Sequence, residues 1–355
     1  MTDKTGLRLI RLTADDRDRL ADMIDEWKKD QEENHTNGAP KAIFRHDYHD
    51  FDYYLSHLEN NAEADRRVPD SVFFLLDERR DRLIGAVDIR HHLNDVLLYN
   101  IGHIGDGIRP SERRKGYGTA LVHLALEECR KRGMLRVMMA CDRNNIGSAK
   151  TILRNGGVLE NEVTAPDGSV ARRYWIDLYD PEKPIRKALI LGCPGSGKST
   201  FAKKLHALSN LPLYHLDNIW WKEDGTHISR EAFDQALNGI LQQEEWIIDG
   251  NYRRTYEMRM RACDHIFFLD LPEDVCREGV LRRIGKKRDD LPWIETKEDP
   301  ELLKMVHDFR AAYRPILLEL FQRFPDKQLV LLESREAMNE WLLAYELVLR
   351  SSKNQ

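Results

Sequence analysis

Gly192-Cys-Pro-Gly-Ser-Gly-Lys-Ser199 satisfies the pattern G-x-x-x-x-G-K-[ST] in full, and few folds can present it. The loop must leave a buried strand and open a helix, so that its backbone N–H groups and the helix N-terminus converge on one anion. Both flanks meet that demand. Lys187-Ala-Leu-Ile-Leu191 is a short apolar run, and Phe201, Ala202, Leu205 and Leu208 recur at helical spacing behind the loop. A match of this length arises by chance in about one chain in a hundred of this size. The pattern implies a nucleoside triphosphate. Backbone groups from Gly192, Gly195, Ser196, Gly197 and Thr200 would surround its phosphates, Lys198 would reach the terminal ones, and Ser199 would ligate Mg²⁺.

A chain of 355 residues is long for one such unit and suits two of about 180 each. The boundary is expected at Asp180-Pro-Glu-Lys-Pro184, where two prolines and alternating charge interrupt both helix and strand just ahead of the loop's own strand. This gives a domain at 1–180 and another at 186–355. A net charge of −5 argues against a nucleic-acid binder. The five cysteines include no CxxC pair, which argues against a zinc site or a disulfide framework and fits a reducing compartment. With no signal-peptide pattern and no apolar run of membrane-spanning length, a cytoplasmic protein without membrane attachment is expected.

The fold class expected is α/β in both halves. In the first, strands are read at 7–12, 72–76, 83–89, 100–108, 135–140, 158–162 and 171–178. Helices are read from the Thr13-Ala-Asp-Asp16 cap to Lys29, at 51–60, at 115–132 and at 145–155. In the second, strands at 187–191, 211–216, 245–249, 265–271 and 328–333 alternate with helices at 198–208, 229–243, 273–283, 301–323 and 335–349, the order of a parallel sheet with helices on both faces. The charged stretch 284–300 has no apolar period and is read as a lid.

Ile108-Arg-Pro-Ser-Glu-Arg113-Arg-Lys-Gly116-Tyr-Gly118-Thr holds a second glycine loop that opens a helix, with basic residues to neutralise a pyrophosphate. Together with Asn145-Ile-Gly-Ser148-Ala-Lys-Thr-Ile152-Leu-Arg154-Asn-Gly156-Gly157 it resembles the GNAT-type N-acetyltransferases, over nearly all of residues 7–178. The resemblance implies an acetyl-CoA site formed by Ile108, Arg113, Lys115, Gly116, Gly118, Thr119 and Asn145, and a small-molecule amine as acceptor. Many members carry a tyrosine proton donor where this chain has Ile152, so the acid must come from elsewhere. For the general base, Asp88, His91 and His92 follow a strand expected to flank the acetyl group, and Asp88 is the best placed.

In the second half, Asp217 ends the second strand and Asp249-Gly250-Asn-Tyr-Arg253-Arg254 ends the third. Arg282, Arg283, Arg310 and Arg314 come later in the chain. Mobile arginines around a phosphate loop suit phosphoryl transfer, which needs alignment and charge neutralisation. Residues 186–335 resemble the adenylate-kinase-like P-loop proteins, in particular the DNA topology modulation proteins, through Leu211–Asp217, Glu245–Tyr252, Phe268–Pro272 and Tyr313–Pro315. Carried over, Arg253, Arg282 and Arg310 clamp the phosphoryl group, Asp217 meets the acceptor or Mg²⁺, and Asp270 is a second metal-linked carboxylate. The combined expectation is a bifunctional enzyme using acetyl-CoA, ATP and Mg²⁺ on small-molecule amine and phosphoryl acceptors. The alternative is an acetyltransferase fused to a regulatory ATP switch that binds a partner or DNA.

Overall fold

The computed structural model describes residues 6–36, 38–60, 67–165 and 167–353. The chain divides into two compact units, residues 1–130 with 134–179, and residues 131–133 with 180–355.

The first unit is built on a four-stranded antiparallel sheet in the order β1 (Leu7–Ile10), β2 (Asp70–Asp77), β3 (Arg82–Arg90), β4 (Ile104–Ile108). Helices α1 (Arg17–Asn34) and α2 (Phe51–His57) cover one face. Leu20, Met23, Ile24 and Trp27 recur at three- and four-residue intervals on α1, and this stripe is buried with Phe51, Tyr54, Phe74 and Ala86. The other face packs on α4 (Tyr117–Lys131) and on a three-stranded antiparallel sheet, β5 (Arg136–Asp142), β7 (Val170–Asp177) and β6 (Val158–Thr164), with α5 (Ile146–Arg154) alongside. The two sheets meet where His103 N donates to Met138 O at 2.8 Å, and where Gly102 bridges Met139. No ladder joins the described residues of β4 and β5 beyond that contact, so the two strands leave a gap between them.

One helix departs from the sequence expectation. Instead of a strand from residue 100, α3 (Asp95–Asn100) precedes β4, because the Asn94 side chain accepts from Leu97 N at 3.0 Å and caps a turn. Helix α1 also runs beyond Lys29 to Asn34, where strong helix formers continue its exposed face.

The second unit is a five-stranded parallel sheet in the order β12-β11-β8-β10-β9. In chain order its elements are β8 (Lys187–Gly192), α6 (Lys198–Ser209), β9 (Leu213–His215), α7 (Leu216–Trp220), α8 (Arg230–Leu241) and β10 (Trp246–Asp249). These are followed by α9 (Tyr256–Ala262), β11 (His265–Leu269), α10 (Glu273–Leu281), α11 (Pro300–Asp308), α12 (Arg314–Gln322), β12 (Gln328–Leu332) and α13 (Arg335–Lys353). Ala188, Leu189, Ile190 and Leu191 are all fully buried, so both faces of the central strand are covered, as a parallel sheet requires. The single helix expected over 301–323 is interrupted by a π turn at Phe309–Tyr313. Pro315 supplies no N–H to the ladder, so the helix must re-register ahead of it.

Candidate functional sites

In the first unit the sequence-predicted loop leaves β4 at Ile108 and enters α4 at Tyr117. Arg114 has φ 63° and Gly116 φ 81°, two left-handed residues that turn successive N–H groups toward one side ahead of a helix N-terminus. The second conformation is one that only glycine adopts cheaply. Arg113 donates to Ile108 O at 3.1 Å and to Asp30 at 2.7 Å, while Lys115 pairs with Glu112 at 3.0 Å. These two side chains therefore brace the loop as well as lending it charge. Thr119 lies in the first turn of α4 and its carbonyl accepts from Asn155. A Cβ on Gly118 would lie 3.5 Å from Thr151 Oγ1, an ordinary contact, so packing alone does not require glycine there. Asn145 caps α5, accepting from Ser148 N at 3.0 Å.

A brace that sequence reading missed lies behind this loop. Arg109 is fully buried and donates to Asp22, Glu26 and Leu83 O, and Glu26 also accepts from Ser111 N at 2.6 Å. The ion-paired cluster fixes the end of β4 against α1.

The base candidate needs correction. Asp88 alternates with Val87 and Ile89, so it lies on the Ala86 face beneath α1 and α2, away from the β4–β5 gap. It is fully buried, pairs with Arg90 at 2.9 Å, and is pushed up to about 6 by burial. Asp106 is in phase with Ile104 and Ile108 on β4 and faces the opposite side, toward β5. It is partly exposed, and burial pushes its carboxyl up to about 6. Burial raises the thiol of Cys141, on β5, against a hydrogen bond with Ser148, and the charge of Asp106 adds to the rise. Tyr174, raised by burial as well, senses Cys141 in turn. Ile152 is fully buried in the core and offers no proton.

In the second unit the 192–199 loop lines a cavity of about 630 Å³ together with Lys203, His215, Asp217, Trp221, Asp249, Tyr252, Arg282, Arg283, Arg288, Asp290 and Trp293 among others. Gly195 has φ 81°, and a Cβ there would stand 2.0 Å from Cys276 O. Only hydrogen fits between this loop and α10. Lys198 Nζ donates to Gly192 O and Cys193 O at 3.1 and 2.9 Å, and Asn251 Nδ2 donates to Gly192 O at 2.9 Å. The fully buried Ser196 Oγ has no hydrogen-bond partner and lies outside the cavity wall.

The Asp-Gly turn is held from behind by Arg259, which is fully buried. It donates to Gly250 O at 2.7 Å and to the carbonyls of Asn251 and Tyr252. Burial lowers the guanidinium to about 10, so it stays charged at neutral pH. Asp217 accepts from Tyr252 Oη at 2.9 Å; burial pushes its carboxyl up, against that hydrogen bond, and the charge of Asp249 adds to the rise. Asp249 is 4% exposed, takes His215 on one oxygen at 3.0 Å, and leaves Oδ1 without a partner.

The 284–300 segment closes one side of the cavity. Asp289 pairs with Lys203 at 2.7 Å and its carbonyl accepts from Asn218 at 2.6 Å. Asp290 meets Arg288 at 3.0 Å and the Ser199 hydroxyl; burial works against its ionisation, but these bonds hold it well below the usual carboxylate range. Sequence reading placed no role on Asp290.

Two further expectations need correction. Asp270 is bound by Arg314 through both oxygens at 2.9 and 2.8 Å and is absent from the cavity wall, so its charge is already matched and it is withdrawn as a metal carboxylate. Arg253, exposed in the turn before α9, and Arg310, exposed in the π turn, also lie outside the cavity wall, whereas Arg282 lines it. Among the described residues no helix is long and apolar enough to cross a membrane.

Residues 23–156 match the model of the acetyltransferase (GNAT) family, so the first unit contains a GNAT acetyltransferase domain. No curated protein matches the chain. Similar solved structures include a putative ribosomal-protein-serine acetyltransferase from Vibrio cholerae, at 18% identity over 49% of this chain and 95% of that one, with a TM-score of 0.34. Ribosomal-protein-S5-alanine acetyltransferase from Vibrio fischeri matches at 16% identity over 51% and 98%, with a TM-score of 0.36. The microcin C7 self-immunity acetyltransferase MccE, in complex with acetyl-CoA and AMP, matches at 17% over 49% and 94%, also at 0.36. Likenesses of this size say nothing about substrate.

Proposed function

We propose that this chain is a bifunctional transferase, with an acetyl-CoA-dependent N-acetyltransferase in the first unit and an ATP- and Mg²⁺-dependent P-loop kinase in the second. The observation that carries the first half is the family match, joined to the Arg114–Gly116 turn at the start of α4. The observation that carries the second is the 192–199 loop, whose Gly195 admits no side chain and whose Lys198 and Ser199 line the cavity.

When bound, acetyl-CoA supplies a thioester acyl group. The residues then divide the work. The 113–118 loop and Thr119 hold the pyrophosphate, Ile108 and Asn145 flank the arm, and Asp106 takes the proton from the attacking ammonium. Cys141 and Tyr174 are the protonated groups on the far side of the gap, available to a leaving thiolate in place of Ile152. A base at about 6 is ionised above that pH, so the rate should rise as pH climbs through about 6 and then level. Asp106→Asn is expected to lower kcat by roughly 10²–10⁴-fold and to remove that limb of the profile, with acetyl-CoA affinity kept. A profile unchanged in Asp106→Asn would exclude it as the base.

ATP supplies the phosphoryl group to the second unit. Lys198 and Arg282 would neutralise charge on the phosphates, the Ser199 hydroxyl would help hold Mg²⁺, and Asp217 would receive the acceptor's proton. A partly buried carboxylate whose hold on a proton is raised by burial suits that task. Product analysis with γ-labelled ATP separates this from an ATP switch: an organic phosphate ester supports the kinase, and release of free phosphate alone contradicts it.

A further inference from the structure

Resting on the phosphoryl-transfer reading above, we propose that the acceptor of the second unit is an alcohol carrying no phosphate of its own, its hydroxyl on Asp217 and its body against the indoles of Trp221 and Trp293. The choice turns first on which cations are free. Of the arginines lining the cavity, Arg283 and Arg288 are both held by Glu295, at 2.9 Å each, and Arg288 also by Asp290. Their side chains are only 20% exposed, so these pairs do not exchange readily with solvent. Arg282 pairs with Glu278 and Lys203 with Asp289 at exposed positions, where an ion pair is weak and yields to a stronger anion.

Those two, with Lys198, Lys286 and Lys287, line the cavity together with the glycine loop, and a triphosphate takes them. An acceptor phosphate needs cations of its own, and among the described residues of the cavity wall no arginine beyond Arg282 is left without a largely buried carboxylate partner. Arg253 and Arg310, which the kinase resemblance offers as clamps on the transferred phosphoryl group, are not in that wall.

The two indoles of the cavity wall have the reverse character. Trp221 and Trp293 meet edge to face with centroids 5.5 Å apart. Behind them Trp220 stacks on His227 at 4.5 Å and Phe233 on Tyr252 at 4.9 Å, and Tyr252 donates to Asp217. A continuous aromatic shelf therefore leads to the carboxylate. Indoles offer apolar area and a single N–H, which suits the C–H face of a ring or chain and repels nothing except an unpaired anion. Asp249, also on the cavity wall, adds a second carboxylate that disfavours an anionic acceptor.

The test uses the full chain. First, binding of a non-hydrolysable ATP analogue with Mg²⁺ is measured; absence of binding overturns the kinase reading itself and is distinct from any outcome for the acceptor. On the loaded protein, AMP and glucose 6-phosphate are then titrated, and γ-labelled ATP is incubated with glucose, glucosamine, myo-inositol and glycerol. The expected results are no AMP binding at millimolar concentration and a labelled ester from at least one alcohol. The KM for that alcohol should rise at least tenfold in Trp221→Ala, with the KM for ATP unchanged. Glu295→Gln, which removes the carboxylate from Arg283 and leaves Arg288 on Asp290, should raise AMP affinity at least tenfold. Tight AMP binding by the unaltered chain, a labelled nucleotide product, no labelled ester from any of the alcohols, or alcohol kinetics indifferent to Trp221→Ala would each overturn the proposal.

Discussion

Gly195→Ala is expected to cut affinity for ATP by roughly 100-fold, about 3 kcal/mol, and to lower the melting temperature of the second unit. Two costs add. Alanine at φ 81° carries a left-handed penalty of about 1–2 kcal/mol. Its Cβ would also stand 2.0 Å from Cys276 O and 2.9 Å from Val280 N, backbone atoms of α10 that no rotamer change can move aside. The reverse contact is as close, since a Cβ on Gly279 would meet Gly195 O at 2.1 Å. Loop and helix thus touch backbone to backbone, and relief requires shifting the loop whose N–H groups are proposed to bind phosphate. Calorimetric titration with ATP and Mg²⁺ checks this. Unchanged affinity would place the nucleotide elsewhere.

Arg259→Met has the next largest expected effect. Methionine keeps much of the apolar bulk but leaves the carbonyls of Gly250, Asn251 and Tyr252 without the donor that now gathers them. Removing a buried charged partner of this kind costs about 3–5 kcal/mol. For a unit of this size each kcal/mol is worth about 2–4 °C, so a fall of roughly 6–20 °C is expected in thermal unfolding. Because Asn251 also donates to Gly192 O, and Tyr252 to Asp217, surviving protein should bind ATP more weakly as well. A melting temperature within about 2 °C of the unaltered chain would show, on the same scale, that the turn does not depend on Arg259.

How far these sites are legible in the sequence differs residue by residue. The 192–199 loop is, because its pattern and the helical spacing behind it are local. So is the central strand, whose residues 188–191 are all apolar. Asp106 is not: one aspartate between two glycines in Ile104-Gly-Asp-Gly-Ile108 resembles a turn, and only the phase of β4 sends it into the gap rather than under α1 as with Asp88. Arg259 is hidden because an arginine on a short helix ordinarily meets solvent, and its task depends on three carbonyls that converge on it in space. Asp270 misleads for the same reason in reverse. Its strand end is legible, but Arg314, far along the chain and across a π turn, matches its charge. Asp290 sits in a segment without period, where neighbours such as Ser199 are set entirely by tertiary packing.

The most direct test of the two-site account is calorimetric titration of the full chain with acetyl-CoA and then with ATP and Mg²⁺, beside Lys198→Ala. The account predicts one acetyl-CoA site and one ATP site per chain, with ATP weakened roughly 10–100-fold and acetyl-CoA untouched in the variant, as loss of one charge-assisted hydrogen-bonding group implies. Failure of acetyl-CoA to bind, or ATP affinity indifferent to Lys198, would contradict it.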